Sequence, residues 1–179
     1  MATTLLDPIA ALALTLLIGW VLVEAGLHKL QDPVLTAANI DEYRLLPEGA
    51  GAWIARPLAL VEIALAVLAL LPLSRVPALV VAAALIAGYG VAITINLLRG
   101  RRDIDCGCGG PGQAQRLSVA LPVRNALLVC AALAAAYSAP APSHWSGWLF
   151  AMFCAAAGAL LHASVNGLLA NRQLLERLR

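Results

Sequence analysis

The sequence predicts an all-α integral membrane protein, a bundle of four to five transmembrane helices with a short interfacial helix after the first span. Hydrophobic residues make up 61% of the 179 residues and charged residues only 12%, far from the balance of a soluble domain. Apolar runs of about 20 residues recur, and this length crosses the hydrocarbon core of a bilayer as a helix. The alternation of apolar and polar residues that is typical of barrel strands is not visible.

Five candidate spans form a single domain over residues 1–179. They cover residues 8–30, 55–73, 76–98, 119–138 and 146–170. Asp7 followed by Pro8 is typical of a helix start, and "RPLALVE" predicts that the second span starts at Pro57 in the same way. The first apolar run is long, has no basic region before it and carries Glu24, so a cleaved signal peptide is not expected.

The connection between the first two spans, residues 31–54, is too long for a simple turn. It begins with Asp32-Pro33, another helix-start signature. We therefore predict a short helix that lies on the membrane surface and stops before Pro47.

The basic residues predict the orientation of the chain. All of the 12 Lys and Arg residues except Arg75 fall in connections or the tail at one end of the predicted bundle. By the positive-inside rule, the N-terminus lies outside and the C-terminus lies in the cytoplasm. The expected location is the bacterial cytoplasmic (inner) membrane, with lipid as a partner and no nucleic acid.

Polar residues within or beside the spans lie toward the end of the bundle that holds "RGRRDIDCGCGGPG", residues 99–112. Ionisable groups in a span are costly and usually face the bundle interior, so we predict a polar pocket that binds a quinone headgroup or shuttles protons. The alternative is that these polar side chains pair with one another and only stabilise the bundle. Glu24 would then pair with His28, four residues further along the helix. Arg124 would then pair with Glu62 across helices. The candidate pocket residues are Glu24, His28, Lys29, Tyr43, Glu62, Asn96, Arg124 and Asn125.

Cys106 and Cys108 flank the single residue Gly107 in this loop. A disulfide that closes so small a ring is strained and readily reduced. Neighbouring arginines favour the thiolate and neighbouring aspartates oppose it. The pattern predicts a dithiol/disulfide pair that exchanges electrons with a partner protein or a membrane quinone. The residues expected to tune the thiols are Arg99, Arg101, Arg102 and Asp105.

Two other functions fit the same cysteines. Two thiolates form half of a site for a soft metal such as Cu, Zn or Hg, but a tetrahedral site needs two more ligands and no spacing assigns them. A non-catalytic scaffold that holds a thioredoxin-like partner is the third possibility. Cys130 and Cys154 lie within spans, where we expect them to pack as small apolar residues; an electron relay across the membrane is the alternative.

Four segments, "AGLHKLQDP", "YRLLP", "RGRRDIDCGCGG" and "VRNALL", resemble the MauE family of methylamine-utilisation membrane proteins, which is related to the broader DoxX-like group. The resemblance covers approximately residues 20–130. Its specific part comprises Arg99, Gly100, Asp105, Cys106, Gly107 and Cys108. Gly109 departs from the family, which often has a bulky aromatic residue there.

The resemblance implies thiol–disulfide chemistry in the maturation of methylamine dehydrogenase. The small subunit of that enzyme carries many disulfides and a tryptophan-derived quinone cofactor. The implied partners are a thioredoxin-like protein, MauD, and this exported client, both outside the cytoplasm. Such partners require the cysteines outside, whereas the basic residues predict them inside. A loop folded back into the bundle, or electron transfer across the membrane, would reconcile the two.

Overall fold

The computed structural model describes residues 5–107, 115–138 and 142–177, with side chains up to residue 171. Within these ranges the chain forms six α-helices and no β-strand, so the predicted all-α bundle is confirmed. The helices are α1 (Pro8–Gln31), α2 (Pro33–Glu42), α3 (Ala50–Leu68), α4 (Arg75–Leu98), α5 (Ala120–Ala136) and α6 (Trp145–Arg177).

Four of these helices, α1, α3, α4 and α6, are long and apolar enough to cross a membrane. Helix α5, the predicted span over residues 119–138, is shorter, and its 17 residues correspond to a length of about 26 Å. The outer surface carries large apolar side chains, among them Trp53, Leu73 and Leu98, each more than four-fifths exposed. Monomeric soluble proteins rarely expose so much contiguous apolar surface, which is the surface expected against lipid.

Helix α1 lies at the centre of the bundle and packs against α2, α3, α5 and α6, while α4 packs mainly against α5. The largest buried cluster combines a few branched side chains, such as Ile18 and Leu79, with many alanines. Small residues let helix backbones approach closely, which matters in lipid because apolar burial alone does not drive helices together there. The bundle is therefore held by close backbone packing around α1.

Two of the three predicted helix starts are confirmed. The carboxylate of Asp7 accepts a hydrogen bond from the Ile9 amide (2.8 Å), and that of Asp32 accepts one from the Leu35 amide (2.9 Å). The predicted start of the second span at Pro57 is wrong, because α3 begins at Ala50 and contains Pro57. A proline inside a helix removes one backbone N–H, and here the helix continues through it.

Helix α2 ends before Pro47, as predicted, and packs against the first turns of α3. Gly51 makes this contact possible. A Cβ atom at this position would collide with the backbone of Ala37 on α2. The absence of a side chain at Gly51 thus allows α2 to lie directly on α3.

Candidate functional site

The cysteine loop follows α4 at the end of the bundle where α1 also ends. Two backbone hydrogen bonds close the loop: the Cys106 amide donates to the Gln115 carbonyl (2.7 Å) and the Leu117 amide donates to the Ile104 carbonyl (3.1 Å). Ile104, Cys106 and Leu117 are buried together in a small apolar cluster. Cys106 is therefore held in a folded loop, with 8% of its surface exposed, whereas Cys108 lies outside the described residues.

Helix α2 and the residue after it contact the cysteine loop. The Tyr43 hydroxyl donates a hydrogen bond to the Cys106 carbonyl (3.3 Å). Gly107 has a φ of +68°, a left-handed conformation, and a Cβ atom there would stand 3.3 Å from the Asn39 amide nitrogen. Only glycine adopts this conformation without steric cost, so the residue between the two cysteines lets the chain turn tightly against α2.

Arg101 fastens the end of α2 to the end of α4. Its guanidinium donates to the carbonyls of Glu42 (2.8 Å) and Tyr43 (3.3 Å) and to the side-chain oxygen of Asn96 (3.0 Å). The last carbonyls of a helix lack donors within the helix, and a positive charge there is favourable. Arg101 and the buried Asn96 therefore form a clamp on α2.

The other residues predicted to tune the thiols occupy different places. Arg99 donates to the Arg44 carbonyl (3.4 Å), and Arg102 is exposed. One carboxylate oxygen of Asp105 accepts from the amides of Gly107 (3.1 Å) and Gln115 (3.2 Å). Asp105 thus orders the turn around the cysteines, and the tuning of the thiols by the arginines stays a prediction.

A buried ion pair lies beneath the loop. The Lys29 ammonium contacts both carboxylate oxygens of Glu62, at 2.8 and 2.9 Å. The Tyr89 hydroxyl donates to the same carboxylate (2.6 Å), and Lys29 lies 5.4 Å from the centre of the Tyr89 ring. Glu62 is completely buried. Three helices, α1, α3 and α4, therefore contribute one residue each to a closed polar contact.

The alternative pairing of Glu62 with Arg124 is not observed, because Lys29 and Tyr89 occupy the Glu62 carboxylate. Arg124 donates to the side-chain oxygens of Asn166 on α6 (2.6 Å) and of its neighbour Asn125 (3.2 Å). The physical reason is the packing order: α3 packs directly against α1, which brings Lys29 to Glu62, whereas α5 packs against α1 and α4. Arg124 thus links α5 to α6.

The alternative in which Glu24 and His28 pair with each other is not observed within the described ranges. The Nδ1 atom of His28 is buried without a hydrogen bond. Glu24 instead borders a small cavity of about 60 Å³, together with Arg124, Asn125 and His162. Five of the eight predicted pocket residues line this cavity, and His28, Tyr43 and Asn96 do not. That the pocket binds a quinone or shuttles protons stays a prediction.

A larger cavity, of about 220 Å³, lies directly beside Cys106. Most of its wall is apolar, and its polar side chains come from α1, α2 with Tyr43, and α4. Lys29 and Tyr89 line both cavities, so the buried ion pair separates them. The polar residues on the wall of the larger cavity are Lys29, Thr36, Asn39, Tyr43, Tyr89 and Cys106.

Four of the residues that line these cavities had no place among the predicted site residues: Tyr89, His162, Asn166 and Asn39. Tyr89 lies on the same face of α4 as Asn96, seven residues along, and this spacing is the signal that could have identified it. His162 and Asn166 are four residues apart and therefore lie on one face of α6, although His162 alone gives little indication of a site. Asn39 lies four residues before the predicted pocket residue Tyr43, so the same spacing could have identified it, and the packing of α2 on the loop brings both residues to the larger cavity.

The remaining cysteines lie away from the loop. Cys130 is exposed on α5, and Cys154 is half-buried against α1. No group of three or more His, Cys, Asp or Glu side chains is arranged to hold a metal ion in residues 5–107, 115–138 and 142–171.

Comparison with known proteins identifies the family. The family model of methylamine utilisation protein MauE matches residues 7–138. The methylamine utilization protein MauE of Paracoccus denitrificans is 41% identical over 142 residues, which are 79% of this chain and 76% of that protein. The MauE of Methylorubrum extorquens is 35% identical over 158 residues, 86% of this chain and 83% of the relative. No solved structure matches the chain significantly. This membrane protein therefore belongs to the MauE family of methylamine utilisation proteins.

Proposed function

We propose that the chain is a membrane thiol–disulfide redox protein in which Cys106 and Cys108 form the exchanging pair. The observation that carries the proposal is the position of Cys106, held by a folded loop on the wall of the larger cavity. The second cysteine follows two residues later, after a glycine in a left-handed turn. A loop of this kind places the two cysteines two residues apart in the sequence and fixes the first of them beside the bundle.

The proposed reaction is disulfide transfer. A thiolate of the partner attacks the Cys106–Cys108 disulfide, the S–S bond breaks, and a mixed disulfide forms. A second partner thiolate then attacks the mixed disulfide, which leaves Cys106 and Cys108 as thiols and the partner as a disulfide. Two electrons and two protons pass from the partner to the cysteine pair in total.

The proposed partner is a thioredoxin-like protein, and the proposed client is an exported, disulfide-rich protein of methylamine utilisation such as methylamine dehydrogenase. The family supports this setting, because the relatives carry methylamine utilisation in their names. We place the protein in the cytoplasmic (inner) membrane of bacteria.

The test is a redox titration of the purified protein in glutathione buffers of varied ratio, with thiols trapped by a maleimide mass tag. We expect a reversible two-electron couple that Cys106→Ser and Cys108→Ser each abolish. The double variant Cys130→Ser/Cys154→Ser is the matched control and should keep the couple. The absence of a reversible couple in the wild-type protein would overturn the proposal, as would normal client disulfides in cells that carry Cys106→Ser.

A further inference from the structure

The cavity beside Cys106 has the shape and wall chemistry of a ligand site. Its volume of about 220 Å³ accommodates a single ring, and Ile40, Leu58 and Ile93 supply apolar wall. Leu45 and Leu46 belong to the wall and are also 37% and 47% exposed. The cavity is therefore reached past apolar side chains, as suits a ligand that arrives from lipid rather than from water.

The polar groups on the wall select the class of ligand. The Asn39 amide stands against Gly107 and is paired with no other side chain or backbone group in the described ranges. Its NH₂ group is a donor for a ligand oxygen. The Tyr43 hydroxyl lies on the same wall and donates to the Cys106 carbonyl. An aromatic or quinonoid ring with carbonyl oxygens fits an apolar cavity with one available amide donor.

The charge on the wall argues against a permanently charged ligand. Lys29 directs its ammonium hydrogens to the two Glu62 oxygens and, at 3.4 Å, to the Ala25 carbonyl. The Lys29–Glu62 pair therefore has no net charge to offer an anion or a cation.

We propose that this cavity binds the headgroup of a membrane quinone, which reoxidises the Cys106–Cys108 pair. This inference rests on the proposed function, because it supplies the electron acceptor that disulfide transfer requires. The two S–H bonds break and one S–S bond forms between the cysteine sulfur atoms. The two electrons and two protons that leave the thiols reduce the two quinone carbonyls to hydroxyls. The products are a disulfide and a quinol.

In this site the Asn39 amide binds the quinone by donating to one of its carbonyls, while the apolar wall holds the ring. Cys106 lines the same cavity, so the ring and this cysteine share one compartment with a mostly apolar wall.

The test uses the full-length protein, reduced and embedded in quinone-free lipid nanodiscs. Decylubiquinone is added, quinol formation is followed by absorbance, and thiol loss is followed by mass tagging. We expect one quinol for each disulfide formed. Ala92→Phe fills the cavity and should slow the reaction by at least about tenfold. Val91→Phe, on the exposed face of the same helix, is the matched control and should leave the rate unchanged.

A second variant and a second oxidant keep the outcomes distinct. Asn39→Ala should raise the half-saturating decylubiquinone concentration about fivefold, the loss expected for one hydrogen bond. Diamide, which oxidises thiols without a quinone site, should form the disulfide equally in all three variants. That result also shows that the loop of each variant is intact.

The quinone inference is overturned if diamide oxidises the wild-type pair and decylubiquinone does not, or if Ala92→Phe and Val91→Phe react alike. It is also overturned if a saturated C10 alcohol displaces decylubiquinone as well as a redox-inactive quinone analogue does, because the cavity would then hold an alkyl chain. Failure of both oxidants to form a disulfide would instead overturn the proposed function.

Discussion

Lys29 and Glu62 form an ion pair of 2.8 Å where α1 meets α3, and the Glu62 side chain has no exposed surface. Tyr89 completes the contact from α4 by donating to the same carboxylate. A charge removed from water is tolerated when it is paired and hydrogen-bonded. The pair therefore fixes how α1, α3 and α4 are rotated relative to one another beneath the cysteine loop.

Lys29→Met should lower the free energy of unfolding by about 3 kcal/mol, because it leaves the buried Glu62 carboxylate without its counter-charge. The double variant Lys29→Met/Glu62→Met should recover much of this loss, since it leaves no unpaired charge. Thermal unfolding in detergent micelles measures both effects. A double variant that is as unstable as the sum of the two single variants would contradict this explanation.

Tyr89→Phe should cost about 1.5 kcal/mol of unfolding free energy, because a hydrogen bond to a charged group is lost. The exposed Tyr137 provides the control, and Tyr137→Phe should have an effect near zero. In the Lys29→Met/Glu62→Met background, Tyr89→Phe should add little, since its acceptor is gone. An equal cost in both backgrounds would show that Tyr89 acts independently of Glu62.

The sequence predicts where the helices lie better than it predicts which faces meet. Runs of apolar residues define the spans, and Asp-Pro pairs locate two helix starts, because these signals are local. Helix α3 is apolar on its lipid face and on its buried face alike, with Leu60 exposed and Leu65 buried. The pattern therefore does not show which way Glu62 points, and its partner follows only from the packing of α1.

The residues that line the larger cavity could likewise be predicted only in part from the sequence. Lys29 and Tyr43 could be assigned to this end of the bundle from their order along the chain. Asn39 reaches the cavity because Gly51 lets α2 lie on α3 and Arg101 holds the end of α2. These are contacts between segments far apart in sequence, and no local pattern records them.

Gly51→Ala should destabilise the protein, because its Cβ atom would collide with the backbone of Ala37 and force α2 away from α3. We expect a cost of about 2 kcal/mol. Gly88→Ala is the matched control: Gly88 lies within α4, a Cβ atom there would have no neighbour within 4 Å, and the variant should be slightly more stable through helix propensity. Thermal unfolding of both variants under one condition measures the difference, and similar melting temperatures would contradict the close contact of α2 with α3.

Arg101→Gln should speed the alkylation of Cys106 about fivefold in a chain that keeps only this cysteine, because the clamp on α2 loses about 1 kcal/mol and the loop opens more often. The rate is measured with a maleimide at fixed pH. Arg102→Gln, which removes an exposed charge from the same loop, should change the rate little. Slower alkylation in both variants would instead indicate that the arginines act by favouring the thiolate.

The distribution of basic residues predicts that the cysteine loop faces the cytoplasm. Arg102→Cys and His144→Cys, each in a chain without other cysteines, test this directly, because both residues are exposed and lie at opposite ends of the bundle. A membrane-impermeant maleimide should label His144→Cys in intact cells and label Arg102→Cys only after permeabilisation. The reverse pattern would place the loop outside, where Cys106 and Cys108 could exchange directly with an exported partner. The predicted pattern requires the electrons of that partner to cross the membrane, or to reach the pair through the bundle itself.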